Sequence, residues 1–188
     1  LVAGLKPGTT LAAVEQAIQQ EKMVDLMNFQ EVHPGDTVFM PPGAIHALGP
    51  GLLIYEVQET SDWTYRVWDW GRPPTEKRPL HIAKSLAVAD PAAAAQAVPA
   101  QSLEPWFSIR DGSVRVLATC EYFRLELLEL GGQPLWQDTR LETFHALTLI
   151  EGEASLQSAH EQIVLRPSQT VLVPARQGWT APYSVSTR

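Results

Sequence analysis

The chain has 188 residues, 45% of them hydrophobic and 19% charged, with a formal net charge of -7. That composition fits one large or two small soluble domains with a substantial core, and it is not that of a disordered chain. The acidic balance excludes a general binder of nucleic acid or of anionic membranes, which needs Lys and Arg in excess, but it leaves room for a small anion held by a few local cations.

The single cysteine, Cys120, allows no disulfide within the chain and fits a reducing cytoplasm, the expected location. No apolar run is long enough to span a bilayer and no signal peptide is visible. "LVAGLK" reads as the inside of a strand, so the chain is expected to begin within a larger fold. Pro7 and Gly8 close that run, and Thr9 or Thr10 can cap the next segment. In "TLAAVEQAIQQ", Leu11, Val14, Ala17 and Ile18 share one face, which predicts a helix. Met23, Val24, Leu26, Met27 and Phe29 predict a second, short helix.

Then the pattern changes. "QEVHPGDTVFMPPG" reads as strand, turn, strand, turn, and "LLIYEVQ" and "TYRVWDW" are β-rich runs. Asp36–Trp70 is therefore expected as short strands broken by Gly and Pro. The polar, proline-rich "GRPPTEKRP" (Gly71–Pro79) predicts a linker. "LHIAKSLAVA" predicts a short helix, and "DPAAAAQAVPA" either a further helical turn from Asp90 or a loose connector. From Ser113 strands return in "VRVLATC", "YFRLELLEL", "FHALTLIEGEASLQ" and "EQIVLRPSQTVLVPA", with turns at Gly131-Gly132 and Glu151-Gly152.

One segment recurs. Gly35–Ala47 aligns without gaps with Ser168–Thr180, matching Thr37 to Thr170, Val38 to Val171 and Pro41 to Pro174, with His46 opposite Trp179. Either two related β-barrels are present and the second lacks the histidine, or strands ending in Val-Pro recur by chance.

The chemistry-bearing residues cluster after the Pro-Pro-Gly turn. An imidazole fixed by such a turn, as His46 is, makes a good Zn²⁺ ligand, but an isolated strand histidine is more often structural and one imidazole is not a metal site. Leu52, Ile54, Glu56 and Gln58 share one face of an extended run, and a carboxylate there needs a partner or a ligand. Arg66, flanked by Tyr65, Val67 and Trp68, either snorkels to water or points into a site as an anion clamp. A purely structural Glu56–Arg66 ion pair accounts for both residues as well as a site does. His145 and His160 read as structural, and His33 and His81, beside a turn and the linker, as solvated. The Trp residues read as packing, with Trp68 and Trp70 placed to border a site.

The stretch "GDTVFMPPGAIHALGPGLLIYEVQETSDWTYRVWDWGR" resembles the class I mannose-6-phosphate isomerases of the short bacterial type, which are cupin proteins. The pattern is Gly-Asp, then Pro-x-Gly-x-x-His-Ala, then Glu-x-Gln-x-x-Ser-Asp-x-Thr-Tyr-Arg, then Asp-x-Gly-Arg. "GLKPGTTLAAVEQAIQQ" and "FHALTLIEGEASL" with "TVLVPA" fit as well, so the resemblance covers most of the chain. It implies a mainly β fold of two cupin-like jelly-roll barrels with a small helical insertion, the first barrel incomplete at its N-terminus. Residues 1–72 would be the C-terminal part of the first, catalytic barrel, 73–102 a linker with a short helix, and 103–188 a second, metal-free barrel.

The resemblance further implies Zn²⁺-dependent interconversion of mannose 6-phosphate and fructose 6-phosphate through a metal-stabilised enediolate. His46 matches the last metal ligand, and Glu56 and Arg66 match the active-site Glu and Arg. Ser61 and Asp62 match a Ser-Asp step to which no role is assigned. The family's other ligands, a Gln and a His in Gln-x-His and a Glu on the next strand, have no match here. "QEVHPGD" lies in the wrong place, after the helices, so those ligands are expected upstream of Leu1. The alternative is a non-catalytic sugar-binding or regulatory two-cupin protein without a complete metal site. Other cupin enzymes, such as dioxygenases and epimerases, normally carry a His-x-His element, absent here.

Overall fold

The computed structural model describes residues 1–61, 63–99, 107–109, 112–159, 161–175 and 183–187. Asp62, Leu103, His160 and Trp179 therefore lie outside the described residues. The chain divides into two compact units, Leu1–Leu103 with Ala118–Leu125, and Glu104–Leu117 with Glu126–Arg188.

In the first unit, strand β1 (Val2–Leu5) is buried along its whole length. Helix α1 (Leu11–Gln19) starts where Thr10, with extended backbone, accepts a hydrogen bond on its side chain from the Ala13 amide at 3.2 Å. That satisfies one of the amides a first helical turn leaves without a partner. Val14 and Ala17 on its inner face join Val2, Leu5, Met23 and Met27 in one core. Helix α2 (Met23–Leu26) makes a single turn and the chain then enters strand β2 (Met27–Phe29). The helical spacing of apolar residues continues to Phe29, but Met27 is extended and pairs with Leu5. A ladder on a buried strand outweighs the small propensity of so short a helix.

Strand β3 (Thr37–Phe39), strand β4 (His46–Ala47), helix α3 (Ile82–Val88) and strand β5 (Gln96–Val98) complete the unit. One antiparallel sheet has the order β2-β1-β4, and a second pairs β3 with β5, Thr37 opposite Val98. The strand β5 lies where the sequence predicts helix or connector. Its partner is far away in the chain, so local propensity carries no sign of it. Gly4 has φ +88°, and a Cβ there would lie 2.7 Å from the Ala94 Cα, so the alanine-rich segment crosses β1 only because Gly4 has no side chain.

The runs "LLIYEVQ" and "TYRVWDW", expected as strands, form none among the described residues. Their composition suits a sheet, but a strand persists only with a neighbour to complete its ladder.

The second unit holds most of a three-stranded sheet of β6 (Phe107–Ile109), β7 (Gly112–Thr119) and β8 (Arg124–Glu129) in that order. Strands β9 (Leu135–Gln137), β10 (His145–Thr148), β11 (Ala154–Gln157), β12 (Gln162–Leu165), β13 (Thr170–Val173) and β14 (Tyr183–Thr187) come next along the chain. An antiparallel sheet runs β12-β11-β14-β9, and β10 pairs antiparallel with β13 from His145 opposite Val173 to Thr148 opposite Thr170. Ala154, Leu156, Leu165, Val173, Tyr183 and Val185 form its core.

The fold is thus mainly β with few helices. The sheets of the described residues have two to four strands and none closes on itself, so the two expected barrels are not present as closed barrels there. Closure needs an unbroken ladder around the circumference, and no ladder runs through residues 52–59. The recurring segment is a strand in both copies, β3 and β13, each paired antiparallel. No helix among the described residues is long and apolar enough to cross a membrane.

Candidate active site

The turn before His46 is fastened on several sides. Gly43 has φ +80°, and a Cβ there would meet the Asp90 amide nitrogen and the Val88 carbonyl oxygen at 3.1 Å. The Asp90 amide donates to the Gly43 carbonyl at 3.1 Å, tying the turn to the end of α3. The Ala44 amide donates to the Pro41 carbonyl at 3.3 Å, and the Gly4 amide to the Ile45 carbonyl at 3.0 Å. With His46 paired to Ala3 on β1, its backbone has little freedom.

The His46 ring is exposed, and its Nδ1 lies 2.9 Å from the Ala44 carbonyl oxygen. Facing an acceptor, Nδ1 carries the proton, which leaves the Nε2 lone pair to the outside. A metal-ligating histidine held by its own backbone has this arrangement. The ring therefore fits the role of one ligand. Among the described residues no group of three or more His, Cys, Asp or Glu side chains is placed to hold a metal, so this chain's described residues do not make a complete metal site.

Glu56 is exposed in an irregular stretch and takes part in no ion pair among the described residues. Arg66 is half-buried and is bound to His81 rather than to Glu56. Its amide donates to His81 Nδ1 at 3.2 Å, its carbonyl accepts from the His81 amide at 2.8 Å, and its Nη1 donates to the Pro79 carbonyl at 3.4 Å. The structural Glu56–Arg66 pair is thus not formed. Ser61 caps its own turn, with Oγ accepting from the Trp63 amide at 3.4 Å.

His81, expected to be solvated, is half-buried, with its ring 5.9 Å from that of Tyr65. Because its Nδ1 accepts from Arg66, its proton sits on Nε2. Lys84 Nζ lies over the Tyr65 ring, 5.9 Å from its centroid. Trp68 and Trp70 pack ring to ring at 5.2 Å. His33 is solvated as expected, within 4 Å of the exposed Glu31 and of Asp36.

The strongest electrostatic feature is one that the sequence pattern did not single out. Asp69 is buried and binds two guanidinium groups, Arg72 Nη2 at 2.8 Å and Arg78 through Nε at 3.2 Å and Nη2 at 2.9 Å. The hydrogen bond from Arg78 holds the Asp69 carboxyl below the usual carboxylate range. Burial acts the other way, and the charges of Arg72, Arg78 and Arg66 add to the lowering. Trp70 and Gly71 both have positive φ, so the chain reverses there and brings Arg72 back onto Asp69. Asp-x-Gly-Arg was a legible signal for the Arg72 contact. Nothing in the spacing announced Arg78, which comes from the stretch read as a linker. That stretch is instead folded back, with Thr75 and Arg78 joined by reciprocal backbone hydrogen bonds of 3.3 and 3.0 Å.

In the second unit His145 is half-buried. Its Nδ1 is 2.7 Å from the hydroxyl of Tyr183, which is buried. Burial lowers the affinity of His145 for a proton, against an opposite pull from Glu126 and Asp138, and burial together with Glu126 pushes the Tyr183 hydroxyl up. The imidazole tautomer sets which of the two donates. Glu129 is held below its ordinary range by the Ser113 hydroxyl at 2.7 Å, with Arg115 at 2.7 Å adding to it.

No family model matches the chain. It is 31% identical over 145 residues to a mannose-6-phosphate isomerase of Streptococcus mutans, a match covering 76% of this chain and 44% of that protein. It is 29% identical over 168 residues to a mannose-6-phosphate isomerase of Bacillus subtilis, covering 88% of this chain and 51% of the other. The crystal structure of the mannose 6-phosphate isomerase from Bacillus subtilis superposes with a TM-score of 0.81 at 22% identity, over 99% of this chain and 57% of that one. The chain thus spans about half the length of the curated relatives it matches, and it shares the fold of the corresponding part of the solved structure.

Proposed function

This chain is a homologue of the mannose-6-phosphate isomerases over about half of their length, and from that premise we propose that it forms part of an aldose–ketose isomerase interconverting mannose 6-phosphate and fructose 6-phosphate. The observation that carries the reading is the similarity to relatives so named across three quarters or more of the chain. The pattern around His46, Glu56 and Arg66 supports it. On this reading the complete fold is a pair of jelly-roll barrels in the cytoplasm, the first completed by a portion that this chain does not span.

The reaction sets the demands on the residues. Moving the carbonyl from C1 to C2 removes the proton on C2, passes through an enediolate, and delivers a proton to C1 while the O2 hydroxyl proton leaves and O1 gains one. Negative charge builds on oxygen in between. We assign the stabilisation of that charge to the Arg66 guanidinium, whose planar fork offers two aligned donors. The backbone hydrogen bonds to His81 support this role, because they hold the base of the Arg66 side chain in place. Glu56 is assigned either the carbon-bound proton or a sugar hydroxyl. His46 Nε2 is assigned to a Zn²⁺ ion whose other ligands come from the portion that this chain does not span. When bound, such an ion polarises the sugar oxygens as a Lewis acid.

The test is Arg66→Lys in a polypeptide that carries this chain together with the remainder of the isomerase fold. Loss of an interaction made only in the transition state lowers kcat and leaves KM nearly unchanged. The expected fall is about 10²-fold, or roughly 3 kcal/mol, as for one oxyanion donor. A raised KM with kcat intact would reassign Arg66 to gripping the phosphate. Sugar-phosphate binding with no turnover in the unsubstituted protein would overturn the isomerase.

A further inference from the structure

Arg66 lies outside regular structure, since residues 63–66 belong to no strand or helix. Its main chain is bonded on both sides, and to the same residue. The Arg66 amide donates to His81 Nδ1 at 3.2 Å, and the Arg66 carbonyl accepts from the His81 amide at 2.8 Å. Any residue but proline at position 81 could make the second bond. The first needs a side chain that accepts at that spot. His81 occupies the N-cap position of α3, where a polar side chain can accept from the amides of its own first helical turn. It makes no such bond. A neutral imidazole has one acceptor nitrogen, and here it is used on Arg66. The Arg66 guanidinium also reaches the Pro79 carbonyl at 3.4 Å, so the segment entering α3 meets Arg66 at both its ends. The far end of the same helix is fastened to the turn that precedes His46, where the Asp90 amide donates to the Gly43 carbonyl at 3.1 Å.

We infer that His81 is a positioning residue for Arg66, and that α3 carries its hold to the turn of His46. The helix has 7 residues and is about 10 Å long at about 1.5 Å per residue. Arg66 and the His46 turn are thereby attached to the two ends of one rigid element, which fixes a pair of groups more closely than loops do. The hold depends on a bare Nδ1. A proton there sets one N–H against another, so the bond is lost as the ring titrates. The charged side chains placed against this ring are Arg66 itself and Lys84, which lies over the Tyr65 ring packed on His81. Among the described residues His81 forms no ion pair. The use of a fixed Arg66 in catalysis rests on the isomerase reading. The bond itself does not.

The experiment follows this chain by NMR. At neutral pH the ring nitrogen shifts of His81 are expected to show Nδ1 unprotonated and Nε2 protonated. Protection of the Arg66 amide, taken relative to its intrinsic exchange rate at each pH, should fall with the midpoint of the His81 ring and not with that of His33. His81→Phe keeps a ring against Tyr65 but accepts nothing. It should lower Arg66 protection roughly fivefold, the factor of about one net hydrogen bond, and remove the pH step. The Asp90 amide should not respond to it. Ala87→Gly, at an exposed position of α3, weakens the helix by a comparable factor and should lower protection at both Arg66 and Asp90. Arg66 protection indifferent to the titration of the His81 ring overturns the inference, whether or not His81→Phe folds. A loss at only one end in Ala87→Gly overturns the link through α3. In a polypeptide that carries the remainder of the isomerase fold, His81→Phe should lower kcat, by less than Arg66→Lys, with KM nearly unchanged. An unchanged kcat with the bond lost overturns the positioning role. Absence of turnover in the unsubstituted protein counts against the isomerase reading instead, and the Arg66 amide still decides the bond.

Discussion

In the first unit the His46 Nδ1–H donates a hydrogen bond to a carbonyl in its own turn and leaves Nε2 facing outward. In the second, His145 Nδ1 is hydrogen-bonded to the buried Tyr183 hydroxyl, and burial lowers the affinity of the ring for a proton. Both lie on short strands paired antiparallel, β4 on β1 and β10 on β13. What separates them is the partner of one ring nitrogen. A backbone acceptor orients an imidazole and keeps it available, whereas a buried hydroxyl orients it and uses it up. The same contrast holds for the strands: β10 and β13 complete a ladder, while residues 52–59 remain outside every sheet.

If the second unit stands on its own packing, a cavity in it should have the largest effect. Leu156 is 0% exposed at the centre of that core. Leu156→Ala is expected to cost about 2–5 kcal/mol, read as a lower urea midpoint. A cost close to zero would mean that this core is not what holds the unit together.

The first unit should instead depend on its buried carboxylate. Asp69→Asn leaves Arg72 and Arg78 facing each other with no charge between them, and the melting temperature should fall by several degrees. Asp69 has a lowered folded-state value. Its contribution is therefore fully present above the ordinary 3.8 and is lost as pH falls from there through the folded value. Asp69→Asn should flatten that acid limb, and an unchanged limb would remove Asp69 from the account.

A smaller effect sharpens the contrast between the histidines. Tyr183→Phe removes the hydroxyl bonded to His145 and should cost about 1 kcal/mol. His145 has a folded-state value below the ordinary 6.5, so its contribution is complete above 6.5 and is lost as pH falls through the folded value. The second unit should therefore soften in mild acid, and His145→Asn should abolish that softening. NMR titration of the His145 ring would break the comparison if it took up a proton at or above the ordinary 6.5.

The smallest effect is expected from metal. Calorimetric titration of this chain with Zn²⁺ should reveal no tight stoichiometric site, because one imidazole does not close a tetrahedral shell. A tight site lost in His46→Ala would show that the first unit is more complete than its described ligands.

The sequence by itself determined the local features of the fold. Thr10 and the spacing of Val14 and Ala17 specified α1, the alternation after Ser113 specified most strands of the second unit, and the Pro-Pro-Gly turn specified where His46 is held. These depend on neighbours within a few residues. Tertiary structure decided what depends on distant partners. It made β2 and β5 strands by pairing them with β1 and β3, left the β-rich run from Leu52 to Val57 outside any sheet, and turned a proline-rich "linker" into the source of Arg78 on Asp69. A ladder, an ion pair or a shared proton needs two groups to meet, and the spacing within one segment records only one of them.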